Sequence, residues 1–234
     1  LRRERQMIEN RWDWMACQAL VNGAVTVAGE DYPTVTVDFN RDPRLTNILL
    51  GAAKWDQGTA TVMASIARMR QLSFQLSRAP VNNLIFGIDA WAAFVDVRHL
   101  DVRDLLNNQR NGQNSLFNAT NISDASPYNY QGQISGTGGI GKLDLWTYAN
   151  FYEDTDSGAA VPYMDSGTVV GVGNAVQGAQ CFGAILDKRA GLSPLSLFPK
   201  LWDAEDPSVT YTMTQSAPLM VPVRPNNTFS MKVV

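Results

Sequence analysis

Apolar residues recur over the first 22 positions in two interleaved series. Ile8, Trp12, Met15 and Ala19 keep the spacing of one helical face, while Met7, Trp14, Cys17 and Val21 lie roughly opposite. The pattern predicts a helix over residues 1–22 that stops at Gly23. A helix apolar on two sides needs two covers. One is expected from a sheet of this chain and the other from outside it.

Beyond Gly23 the period changes. Ala24–Ala28 and Thr34–Phe39 read as a hairpin turning at Gly29-Glu30-Asp31, with Val35, Val37 and Phe39 on one side. A connection follows to Trp55-Asp56, where Asp56 is a plausible cap for a helix over about Thr59–Arg78. That helix presents Val62, Ile66, Met69 and Leu76 on one face. Asn83–Gly87 is short and apolar enough for a central strand. Asp89 is placed to cap a helix over Ala90–Val97, with a further short helix near Asp101–Asn107.

From Asn108 to Gly141 the chain is polar without a clear period, which reads as a functional loop. Leu143–Tyr152 and Thr168–Val172 read as strands around a turn at Glu153–Gly158, and Cys181–Leu186 as another. At the end, Val209, Tyr211 and Met213 alternate with threonines, and Phe229, Met231 and Val233 alternate with Ser230 and Lys232. Each reads as a strand with one buried face. Helices and antiparallel strands in separate blocks argue an α+β fold.

Composition narrows the function classes. The 234 residues suffice for a sizeable core, and 45% are hydrophobic. A net charge of −3 and a pI near 5.1 argue against a sequence-reading DNA binder, which would carry a basic stripe. No 18-residue apolar run is present, so no membrane span is expected, and no signal peptide is seen. Cys17 and Cys181 are read as two reduced, buried thiols. The charged opening, Leu1-Arg-Arg-Glu-Arg5, reads as the continuation of a longer product.

Three segments imitate catalytic motifs. Gly136-Thr-Gly-Gly-Ile-Gly141-Lys142 fits a phosphate-cradling loop and makes a nucleotide-binding enzyme the alternative from another class. That chemistry requires Ser or Thr next and a helix whose amino-terminal amides meet phosphate. Here Leu143 follows, in a strand-like alternation. Asp154-Thr-Asp156-Ser-Gly158 lacks the remaining ligands of a calcium loop and reads as a hairpin turn. His99, the single histidine, follows Arg98 at an expected helix end, where a cation suits the dipole. No catalytic, metal or cofactor residues are assigned.

The wording of the carboxyl end points elsewhere. Gln215-Ser-Ala-Pro-Leu-Met220, between a Trp202-containing loop and a terminal strand, resembles the close of the lambda-type tailed-phage major capsid proteins, the major capsid protein E family. Weaker phrases agree in order: the charged helix with its glycine stop, Val37-Asp38-Phe39, Trp55-Asp56, Asp89-Ala90-Trp91, Trp146–Tyr152, Gly173-Asn174 and Cys181–Asp187.

The resemblance implies the tailed-phage capsid fold, with a spine helix, a peripheral sheet domain and an axial domain. On it, residues 1–54 plus 205–234 are expected to be peripheral and 55–204 axial, with the polar loop 108–141 near the axial tip. It also implies a structural role: an icosahedral shell subunit that self-assembles into hexamers and pentamers enclosing DNA without sequence-specific contact. An encapsulin-like compartment shell is the alternative of the same class. Scaffold, portal and decoration proteins are implied as partners, the virion as location, and the host bacterial cytoplasm before assembly. Family members carry an amino-terminal arm and an extended loop before the spine helix. The second apolar face of the first helix is expected to lie beneath that loop or a neighbour. Trp14, Cys17, Val21 and Trp202 are the candidate assembly-interface residues.

Overall fold

The computed structural model describes residues 2–29, 32–96, 115–116, 127–134, 142–153, 158–204 and 208–234. Helix α1 spans Arg2–Asn22 and closes where Gly23 turns left-handed at φ 71°, its N–H donating to Ala19 O at 3.0 Å. Strands β1 (Ala24–Gly29) and β2 (Tyr32–Asp38) form the expected hairpin, and β3 (Thr46–Ile48) follows. Helix α2 (Val62–Ser77), strand β4 (Asn83–Phe86) and helix α3 (Ile88–Phe94) come next. Then come β5 (Ser115–Leu116), β6 (Tyr128–Ile134), β7 (Leu143–Tyr148), β8 (Phe151–Glu153), β9 (Ala160–Pro162) and β10 (Thr168–Val172). The chain ends with β11 (Gly178–Phe182), β12 (Phe198–Ala204), β13 (Val209–Gln215), β14 (Pro218–Pro222) and β15 (Thr228–Lys232).

One mixed sheet organises the molecule, in the order β3-β15-β10-β4-β7-β6-β5. Strand pleating sends alternate residues to opposite faces. Leu84, Phe86, Val169, Phe229 and Met231 face α2 and α3 in the main core with Trp55, Ile66 and Phe94. Ile85 and Val170 face the other way, toward α1. The sheet is thus covered on both sides, and β4 is central as its apolar run suggests. On β15 the polar alternates Thr228 and Ser230 are buried too, because α1 rather than solvent lies over them.

Among the described residues, four two-stranded ribbons surround this sheet: β1-β2, β8-β9, β11-β14 and β12-β13. Helix α1 packs Trp12, Met15 and Ala19 against Val25 of β1 and Met220 of β14. Trp12 also meets Phe182 edge-on, with ring centroids 5.6 Å apart.

The sequence expectations require several corrections. Asp56 does not cap α2; Thr61 occupies that position, because a turn separates the buried Trp55 from the helix. Asp89 lies within the first turn of α3 rather than capping it, and the Ser166 hydroxyl donates to its carboxylate. β7 and β10 do not neighbour each other, since β4 lies between them; β8 and β9, the strands on either side of residues 154–157, pair with each other instead. The strand expected at Cys181–Leu186 is instead Gly178–Phe182.

Within the polar stretch 108–141, Tyr128–Ile134 is a strand. Its polar side chains hid the period because they bond across to β7: Gln131 to Thr147 at 2.9 Å and Gln133 to Asp144 at 2.8 Å. A bulge between Tyr130 and Gly132 breaks the alternation further. The expected helix at Asp101–Asn107, His99 and most of the loop 108–141 lie outside the described residues.

Candidate functional site

Among the described residues no group of three His, Cys, Asp or Glu is placed to hold a metal. Residues 136–141 and 154–157 of the imitation motifs lie outside the described set. Lys142 is described and leads straight into strand β7, so the helix that a phosphate loop needs is replaced by a strand. It borders a shallow cleft with Asn82, Asn83, Asp144 and Asn174.

The chemistry of this chain lies in how α1 is held. Arg41 is buried, and its guanidinium donates to Leu20 O, to Val21 O and Thr46 Oγ1 at 2.6 Å, and to Ser230 Oγ at 3.3 Å. A planar fork of donors suits this task, since the last carbonyls of a helix have no partners of their own. The positive charge also complements the negative end of the helix dipole. Burial pulls the Arg41 pKa down to about 10. The amino end is held differently. Glu4 accepts from Thr212 Oγ1 at 2.8 Å and Thr214 Oγ1 at 2.6 Å, tying the β12-β13 ribbon to the first turn of α1. Those hydroxyls lower the pKa of Glu4. Neither residue is visible as an anchor in the sequence, because, Thr46 apart, their partners lie 20 to 210 residues away along the chain.

Trp14, Cys17 and Val21 come together on one side of α1. They pack, half-buried, against Tyr148, Tyr163, Met164 and Val170 of this same chain. The second apolar face therefore finds part of its cover in this chain's own sheet, where the sequence placed it beneath a preceding loop or a neighbour. The cover is partial. Beside Trp14 runs an open groove with Met7, Arg11, Phe151 and Tyr152, and Arg11 lies 4.0 Å from the centre of the Trp14 ring. Cys17 Sγ sits 3.5 Å from the Tyr148 hydroxyl, and burial pushes the thiol up. Cys181 is exposed on β11, so the expectation of two buried thiols holds for neither fully; no disulfide joins them.

Trp202 stands apart, on β12. Its ring stacks on Tyr211 across the ribbon at 5.5 Å and 17°. Thr212 and Thr214 turn toward Glu4, so the alternate positions Val209 and Tyr211 face away from α1. Of the buried face expected for Val209, Tyr211 and Met213, the first two are exposed and Met213 is half-buried: Tyr211 is 45% accessible and Trp202, beside it, 38%. An isolated two-stranded ribbon has no layer to bury its apolar side. Lys200, on the same face, pairs with Asp187 at 2.5 Å.

Comparison with known proteins places this architecture. The family model described as phage major capsid protein E matches residues 1–233. The major capsid protein of Escherichia phage N15 is 27% identical over 222 residues, 93% of this chain and 62% of that protein. That of Escherichia phage lambda is 24% identical over 237 residues, covering 100% of this chain and 66% of that protein. The crystal structure of the capsid protein assigned to a prophage of E. coli CFT073 superposes with a TM-score of 0.77 at 22% identity, covering 100% of this chain and 65% of that one. The chain thus spans less than two thirds of the length of each of these proteins.

Proposed function

The chain belongs to the phage major capsid protein E family, and from that membership we propose that it is a structural subunit of an icosahedral phage or prophage shell. The observation that carries this reading is the family match over residues 1–233. Its work is assembly, not catalysis: many modest, repeated contacts around closed rings sum by multivalency into a stable shell. The subunits form hexamers and pentamers that enclose DNA, with scaffold, portal and decoration proteins as further partners. They reside in the virion and, before assembly, in the host bacterial cytoplasm.

The same reading divides the chain into a peripheral part, 1–54 with 205–234, and an axial part, 55–204. The seam between them is hydrogen-bonded, since β3 and β15 share a sheet with β10 and β4. Trp14, Cys17, Val21 and Trp202 supply assembly contacts through the surfaces they leave uncovered. Support comes from the residue types, because exposed aromatics beside Arg and Met are what protein interfaces enrich.

The test is to express the complete reading frame together with its neighbouring genes, then to examine fast-sedimenting fractions by negative-stain electron microscopy. Rings or shells are expected. A monomer alone, under conditions that assemble a related phage's shell, overturns the reading.

A further inference from the structure

The open edge of the main sheet carries an observation that the shell reading does not use. Strand β3 pairs in parallel with β15, with Asn47 opposite Met231 and Ile48 opposite Lys232, and among the described residues nothing pairs with its other side. In a parallel ladder alternate residues direct their peptide groups to the same neighbour. Leu49 N–H donates to Lys232 O at 2.9 Å, so Asn47 and Leu49 face β15 and the peptide groups of Ile48 point to the open edge. Ile48 and Leu50 are 61% and 74% exposed there. Native proteins ordinarily blunt such an edge with charge, proline or a covering loop.

Between this edge and α2 lies a cleft of about 520 Å³ lined by Arg44, Thr46, Asn47, Arg68, Gln71 and Gln75. From Gln57 to Ile88 the chain carries Arg68, Arg70 and Arg78 but no Asp or Glu. Asp42 is committed to Arg44, with its two oxygens at 3.0 and 2.8 Å from the guanidinium. Arg68 is exposed on α2 and has no ion pair among the described residues. Arg70 is buried and donates to Val81 O, Arg78 caps the carboxyl end of α2 outside the lining, and Arg44 is paired with Asp42, so the positive sign of the cleft rests on Arg68.

We propose that the cleft binds an extended, acidic segment of a partner polypeptide, added as a strand alongside β3. The segment's backbone bonds the outward peptide groups of Ile48, and one of its carboxylates meets Arg68. Strand addition of this kind takes affinity from main-chain hydrogen bonds and selectivity from the side chains beside the groove. The short edge limits the ladder to a few bonds, so the interaction is weak and salt-dependent.

Two fluorescein-labelled hexapeptides test this by anisotropy at low salt: Thr-Val-Asp-Val-Glu-Val and its Thr-Val-Lys-Val-Lys-Val counterpart. The acidic peptide is expected to saturate and the basic one to bind at least about tenfold more weakly. Arg68→Glu and Ile48→Pro are each expected to weaken the acidic peptide by about 3- to 10-fold, the range of one ladder bond or one exposed ion pair. Proline is tolerated where a strand N–H faces solvent, and thermal melts check that both variants fold. If Ile48→Pro melts early, Arg68→Glu decides alone. Equal binding of both peptides, no saturable binding, or binding unmoved by the substitutions overturns the proposal. Self-association abolished by Ile48→Pro also overturns it, by assigning the edge to a second copy. None of these readouts depends on shell formation.

Discussion

The side chain of Arg41 lies directly against Gly23. A Cβ built on Gly23 falls 2.9 Å from both Cβ and Nε of Arg41, and Gly23 holds φ at +71°. One residue therefore ends α1 and leaves the passage through which Arg41 reaches the helix's last carbonyls. Gly23→Ala is expected to lose about 1–3 kcal/mol from left-handed strain and displacement of the arginine. Thermal unfolding should show a drop of about 2–4 °C per kcal/mol.

Arg41→Met leaves the carbonyls of Leu20 and Val21 and the hydroxyls of Thr46 and Ser230 without their shared donor. A cost of about 2–4 kcal/mol is expected in urea unfolding. Arg41→Lys should recover little of it, because a point charge cannot span these acceptors as a planar fork does. A lysine variant as stable as the parent would contradict this role.

Gly171 faces the ring of Phe229, which occupies the space a Cβ would need. Gly171→Ala overpacks the join between β10 and β15 and is expected to cost about 1–3 kcal/mol. Gly171→Ala with Phe229→Leu should be more stable than the sum of the two single changes, measured as a double-mutant cycle.

Alkaline pH should loosen the face of the sheet beneath α1. Burial pushes the Cys17 thiol above its ordinary 9.0 and the Tyr128 hydroxyl to about 12, while buried Tyr148 is also raised. Groups whose folded pKa is raised bind more protons folded than unfolded, so stability falls as pH rises between the two values. The contribution is whole below about pH 9 and declines from there toward pH 12. Urea midpoints at pH 8, 10 and 11 should fall in that order, with a shallower fall in Cys17→Ala.

Glu4 holds the β12-β13 ribbon by hydroxyl hydrogen bonds that lower its pKa below 4.5. A lowered folded pKa makes this contribution present above 4.5 and lost as pH falls through the lower value. Glu4→Ala should raise hydrogen exchange over Val209–Gln215 at neutral pH while leaving β15 protected. Equal protection of the ribbon in both proteins would remove Glu4 as its anchor.

Trp202→Asp changes an exposed ring stacked on Tyr211. Folding stability should shift by no more than about 1 kcal/mol, whereas sedimenting assemblies should disappear. Retained assembly would remove Trp202 from the interface.

What the sequence determined is local. An uninterrupted helical pattern over α1, its glycine stop, the α2 face and the β4 and β10 runs follow from short-range periodicity and backbone chemistry, which neighbouring residues decide. The wording Gln215–Met220 carried the family resemblance in the same way. Periodicity states that a face is apolar but not what covers it. The tertiary structure alone decided that Trp14, Cys17 and Val21 rest on β10 and its neighbours, and that Tyr211 faces outward. It also buried Arg41, an arginine in a loop-like Asn-Arg-Asp-Pro phrase, among partners up to 189 residues away in the chain. Such choices depend on which distant strands pair, and the burial of a polar group is settled only when its hydrogen-bond partners arrive.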